Sequence, residues 1–199
     1  MIFVCDDFLK DPFSVRKEAL KSTYYSQGNT PGYRCQIVDK FVSNYILSTI
    51  KEITKNDNLK IQSGYQYSTK DFKEGLFHRD SGRYTCIIFL TPKPDKNSGT
   101  EICESNIKYE IPDKWADDKH RFYQNTYNFT NKLKYDILRR KINTKFKPNY
   151  IVENKYNRMV VFNSNNYHRA QKFFGTEIKN SRLTLLSFIS WSNLMQCFI

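Results

Sequence analysis

The chain has 199 residues, 39% hydrophobic and 16% aromatic, which is enough to bury the core of one domain and too much for a disordered tail. Glycine (7) and proline (6) are scarce, which excludes collagen-like or linker character. No apolar run approaches the roughly 18 residues of a membrane span. The net charge of +12 admits an acidic substrate or a polyanionic partner, but a sequence full of Lys, Asn, Ile and Tyr reaches such a balance through composition alone.

In chain order, residues 1–5 predict a short strand, followed at once by Asp6 and Asp7, so no secretory leader is expected. Asp11-Pro12 opens a helix that runs to about residue 21, with Asp at the N-cap and Pro at the first helical position. Residues 22–36 contain Gly28, Asn29, Pro31 and Gly32 and predict a loop. A second helix is expected over 38–54, where Val38, Phe41, Val42, Tyr45, Ile46 and Ile50 recur at helical spacing. Strands follow at 59–68, 83–91, 99–103, 157–163 and 181–190, and the 14 Tyr and 15 Phe suit them. Helices first and strands later point to an α+β or β-sandwich design rather than alternating βαβ units.

Residues 104–150 break this pattern and predict an insertion between core strands of a single domain spanning 1–199. Tyr135, Leu138 and Ile142 fall on one face of a short helix. Residues 131–147 carry seven Lys/Arg against one Asp. Arg139-Arg140-Lys141, with Tyr123, Tyr127 and Phe129 as stacking surfaces, would suit a nucleic acid; a solvated helix face explains the same residues. His120 reads as a solvated histidine. The five widely spaced cysteines, without a CxxC pair, predict reduced thiols in a cytoplasmic protein.

The chemistry concentrates on two of the three histidines. His78 and Asp80 are two residues apart, so an extended chain sets them on one side. His168 follows the strand at 157–163 and can close a triad with them. Two imidazoles and a carboxylate occupy one face of an octahedral Fe(II) and leave positions open for a 2-oxo acid and O₂. The His-x-Asp pair alone carries little weight, because 20 of 199 residues are acidic. The order adds the weight: the pair before a hydrophobic strand, the second His after another strand, and Arg182 at the start of the last. Zinc is an alternative for the same ligands.

The run His78-Arg79-Asp80, Tyr84–Thr91, Ser98-Gly99-Thr100-Glu101, Arg158–Gln171 and Ser181–Phe188 resembles the 2-oxoglutarate/Fe(II)-dependent dioxygenase superfamily, nearest its prolyl-hydroxylase-like branch with small bacterial and phage members. That resemblance implies a double-stranded β-helix (jelly-roll) core with the N-terminal helices packed on one sheet. It also implies Fe(II), 2-oxoglutarate and O₂ as cofactor and co-substrates, with ascorbate as a reductant. Arg182 would hold the distal carboxylate of 2-oxoglutarate, with help from Thr184. Tyr67 would reach the same carboxylate, with Tyr65 as its competitor, and Thr85 would point into the barrel. The implied reaction is hydroxylation of a peptidyl or free amino acid such as proline. The alternatives are a nucleic-acid-directed oxygenase and a non-catalytic jelly-roll binding protein. The gap from His168 to Arg182 is longer than the family's, with an extended turn expected over 173–180.

Overall fold

The computed structural model describes residues 1–26, 30–103 and 129–192. In chain order these form β1 (Ile2–Cys5), α1 (Pro12–Lys21), β2 (Tyr33–Cys35), α2 (Lys40–Thr54), β3 (Leu59–Ser68), β4 (Tyr84–Phe89), β5 (Thr100–Ile102), α3 (Phe129–Asn143), β6 (Tyr150–Val152), β7 (Met159–Asn163), β8 (His168–Ala170) and β9 (Arg182–Trp191). The class is α+β, mainly β. The larger sheet has the order β1-β7-β4-β9-β3-β2 and the smaller one β6-β5-β8, and every pairing between these strands is antiparallel.

Strand parity sorts the large sheet into two faces. One face carries Tyr65, Tyr84, Cys86, Ile88, Met159, Val161, Leu183, Leu185 and Ile189 and packs against α1 and α2. Asp11 caps α1 through Ser14 N, and Asp39 caps α2 through the Phe41 and Val42 amides, so both helix starts are satisfied by the residue type expected there. Ala19 of α1 and Ile46 and Ile50 of α2 are fully buried on the sheet. The other face offers Ile87, Phe89, Val160 and Phe162, which meet Ile102 and Val152 of the small sheet. All six residues of β4 are buried because it lies inside the sheet with both faces covered, and its sequence YTCIIF is accordingly apolar without alternation.

Three elements depart from expectation. Residues 33–35, expected as loop, form the edge strand β2; three residues are too few for a period to register, and pairing with β3 makes them a strand. The chain reaches them through Gly32, whose φ is +101° and whose place a Cβ could not share, since it would lie 2.2 Å from the Tyr67 carbonyl oxygen. Phe41 is 85% exposed, because the buried stripe of α2 follows Val42, Ile46, Ile50 and Ile53. The 173–180 turn is tightly closed: Gly175 has φ +69°, and Asn180 Oδ1 accepts from the Thr176 and Glu177 amides, 2.9 Å each.

The helix expected around 135–142 is longer, and of Arg139-Arg140-Lys141 the last two are solvent-exposed while Arg139 is buried. Tyr135, Ile142 and Phe146 pack with Leu76, Phe77, Cys103 and Tyr167. Arg139 is fully buried, 2.9 Å from Asp136 and 3.8 Å from Glu74, so it is not free to meet a nucleic acid. Lys73 also pairs with Asp136, while Arg169 binds Glu74 at 2.8 Å and Glu101 at 2.6 Å. This charge network joins α3 to the segment before His78 and to β8. Residues 104–128, including His120, Tyr123 and Tyr127, lie outside the described residues, and Phe129 opens α3. Replacing Arg139 with Ala leaves the buried Asp136 carboxylate with Lys73 alone and empties the space of a fully buried side chain, and breaking such a buried pair costs about 3–5 kcal/mol. Urea denaturation of Arg139→Ala should show that drop, whereas Arg140→Ala, at an exposed position, should stay within about 0.5 kcal/mol of the parent.

Candidate metal centre

The site begins with one backbone pairing. His78 and His168 form an isolated antiparallel bridge, with amide-to-carbonyl distances of 3.1 and 2.9 Å in the two directions. Directly paired residues project to the same side, and the two rings stand 4.4 Å apart. After His78 the chain leaves the pairing, and the Asp80 amide donates to the Ser164 carbonyl at 3.1 Å in the turn between β7 and β8. That contact returns the Asp80 carboxylate to the imidazoles: Oδ1 is 3.5 Å from His78 Nε2, and Oδ2 is 3.1 Å from His168 Nε2. One ligand atom from each of the three residues falls within 4.8 Å of the others.

The hydrogen bonds behind the rings settle what the front can do. His78 Nδ1 is 2.8 Å from the Leu76 carbonyl and His168 Nδ1 is 3.0 Å from the Asn166 carbonyl. A carbonyl only accepts, so each Nδ1 carries the proton and each Nε2 presents a lone pair in the neutral ring. Thr85 Oγ1 donates to Asp80 Oδ2 at 2.7 Å and lies 3.0 Å from Ser164 Oγ, orienting the carboxylate. Two imidazole lone pairs and a carboxylate thus converge on one point, a donor set that fits Fe(II), with each histidine held from behind as metal-binding imidazoles usually are. Without a cation the same geometry favours protons. Burial works to depress the His168 pKa, but the Asp80 carboxylate raises it; burial works to raise that of Asp80, but His168 and His78 pull it well below the carboxylate range.

The three residues line a cavity of about 590 Å³ on the inner face of the large sheet, with Thr85, Ile87, Thr100, Leu186 and Phe188 in its walls. Arg182 lines it as well, with its side chain buried. Arg182 Nε donates to the Ser98 carbonyl at 3.0 Å and Nη2 to Thr100 Oγ1 at 3.1 Å, and its guanidinium sits over the Phe89 ring. Burial pulls its pKa down to about 10, which still leaves it charged at neutral pH. Among the described residues no carboxylate pairs with it, so a buried cation faces the cavity without a counter-ion.

The remaining expected site residues divide between the cavity and the helix-side core. Tyr67 stacks on Tyr33 and meets Tyr24 edge-on, on the helix-side face of β3. Tyr65 shares that parity and belongs to the helix-side core, and the residue also borders the cavity. Thr184 has the parity of Arg182, but it is fully buried and its hydroxyl donates to the Gln66 carbonyl at 3.3 Å. Thr85 faces the cavity, where its hydroxyl serves Asp80. The sequence reading missed Ser164, Thr100, Gln66 and Arg34, all at or beside the cavity. Arg34 lies in the stretch expected as loop, and nothing in its immediate sequence marked it.

No protein-family model and no curated protein sequence matches the chain. Solved structures do, and they define a class: the chain has the double-stranded β-helix fold of the 2-oxoglutarate/Fe(II)-dependent oxygenases. HygX from Streptomyces hygroscopicus, with nickel, 2-oxoglutarate and hygromycin B bound, is similar with a TM-score of 0.65 at 11% identity over 97% of this chain and 84% of HygX. A Pseudomonas putida prolyl-4-hydroxylase gives a TM-score of 0.53 at 10% identity over 96% of this chain and 92% of its own. SnoN, a non-haem α-ketoglutarate-dependent epimerase of nogalamycin biosynthesis, gives 0.57 at 11% identity over 98% and 80%. Among the described residues no helix is long and apolar enough to cross a membrane.

The ligand geometry predicts a graded response to substitution. Asp80→Ala or His168→Ala should abolish tight Fe(II) or Ni(II) binding. Thr85→Ala, which frees the carboxylate it orients, should weaken binding by about 10- to 100-fold. Anaerobic metal titration followed by calorimetry measures both.

Proposed function

We propose that this chain is an Fe(II)- and 2-oxoglutarate-dependent oxygenase that hydroxylates an unactivated C–H bond of a peptidyl or free amino acid. The observation that carries the reading is the coexistence, in one cavity, of three converging candidate metal-ligand atoms and a buried arginine that has no counter-ion among the described residues. His78, Asp80 and His168 hold the metal, and Arg182 binds the distal carboxylate of 2-oxoglutarate. Iron, 2-oxoglutarate and O₂ together supply an oxidant that no protein side chain provides.

The protein's own contribution is position. The Leu76 and Asn166 carbonyls hold the imidazoles in the metal-binding tautomer, Thr85 orients Asp80, and Ser98 with Thr100 aims Arg182. The apolar walls at Ile87, Leu186 and Phe188 keep water from the reacting centre. The likeness to a prolyl-4-hydroxylase supports an amino-acid substrate, whereas HygX with hygromycin B bound shows the same fold beside another ligand class.

The test supplies the purified protein with Fe(II), ascorbate and 2-oxoglutarate and measures succinate. Slow substrate-free turnover is expected, and Arg182→Ala should raise the 2-oxoglutarate dissociation constant by about 10- to 100-fold, the loss of one buried charge-assisted pair. Metal affinity should be unchanged in that variant. Absence of both succinate and 2-oxoglutarate binding would overturn the oxygenase reading in favour of a non-catalytic binding protein.

A further inference from the structure

The cavity extends from the candidate metal ligands to β2, and besides Arg182 its lining holds Arg79, stacked 4.3 Å from the centre of the Tyr167 ring, and Arg34 on β2. Arg34 is half-buried, lines the cavity with Gln62, Gly64 and Gln66, and sits 5.6 Å from the centre of the Phe188 ring. Its Nε donates to Gln66 Oε1 at 2.7 Å, and Gln66 is itself fixed by its amide nitrogen on the Pro31 carbonyl at 2.9 Å. The guanidinium is thus oriented by a neutral partner through Nε, and its Nη1/Nη2 edge makes no hydrogen bond among the described residues. No carboxylate there pairs with it; the charge it feels is Asp80 across the cavity.

Charge balance gives this arrangement its meaning. The two positive charges of the metal and the one of Arg182 offset Asp80 and the two carboxylates of 2-oxoglutarate. Of the two further arginines on the lining, Arg79 is engaged over the Tyr167 ring, whereas Arg34 is a cation in a partly desolvated wall, where an unpaired charge is costly until an anion meets it. Its free edge is planar with two parallel donors, the complement of a carboxylate. A single positive charge beside a neutral amide matches a monoanion better than a phosphate dianion. A cavity of about 590 Å³, shared with the co-substrate, suits a small molecule.

We infer that the primary substrate is a small carboxylic acid, a free amino acid in the first instance, whose carboxylate is bound by Arg34. This inference rests on the oxygenase reading and narrows it, because an internal residue of a peptide has no free α-carboxylate. Arg34 acts as a specificity residue and takes no part in metal or 2-oxoglutarate binding.

The experiment uses the full chain loaded with Ni(II) and 2-oxoglutarate, so that binding is read without turnover. Calorimetry or ligand-observed NMR compares the proteinogenic amino acids and small dicarboxylic acids with their carboxamides. At least one acid should bind, its amide about 10-fold or more weakly, and Arg34→Gln should reduce the affinity for the acid by about 10- to 100-fold. The same variant should keep the parent's 2-oxoglutarate affinity, which also verifies its fold. The inference is overturned if no acid in the panel binds the parent, if acid and amide bind alike, if Arg34→Gln binds the acid as the parent does, or if that variant loses 2-oxoglutarate itself. If the parent binds an acid through Arg34 yet never binds 2-oxoglutarate, the oxygenase reading fails and the carboxylate site stands.

Discussion

Two imidazole lone pairs and a carboxylate aimed at one another repel unless something positive lies among them, and the rest of this structure is arranged to keep them in that position. The bridge between His78 and His168 draws the rings together, the Leu76 and Asn166 carbonyls hold their protons at the rear, and Ser164 and Thr85 hold Asp80. The geometry therefore stores a demand for a cation, met by protons when no metal is present and met better by a divalent ion that accepts all three donors at once.

Rigidity around that point comes from packing on both sides. The large sheet is covered by α1 and α2 on one face and by the small sheet on the other, so the strands that flank the site are anchored from behind. The charge network of Lys73, Asp136, Arg139, Glu74, Arg169 and Glu101 fastens the segment before His78 and the strand that begins at His168 to α3. Charge that composition would assign to the surface is thus partly structural, and the basic stretch around α3 loses its most buried arginine as a ligand for polyanions.

The same cavity separates three electrostatic tasks by depth and partner. Asp80 is oriented toward the metal position, Arg182 is held by neutral oxygen atoms near β5, and Arg34 is held by a glutamine amide near β2. Neutral partners orient both guanidiniums without consuming their charge, which leaves each able to attract an anion of its own. Under the proposed reading, this division would distinguish a site for two anionic molecules beside a metal from one for a metal alone.

Much was legible along the chain. The strands at 59–68 and around 83–91 and 181–190, the Asp11-Pro12 helix start and the triad of ligand types follow from local periodicity, capping chemistry and metal preference, all of which act over a few residues. What the chain could not display is which distant residues meet. The pairing of His78 with His168 rests on strand register, and so does the inward aim of Arg182 and Thr85. Tyr67 lies on the strand where the resemblance expects a co-substrate tyrosine, but its ring packs with the helix-side core, and only the register with β9 decides that facing. Arg34 was invisible because a three-residue strand has no period and owes its existence to the edge of β3. The residue types of the candidate metal centre are thus a property of the sequence, whereas the cavity's charge belongs to the tertiary structure, because charge balance depends on proximity and proximity is settled only when the sheets close.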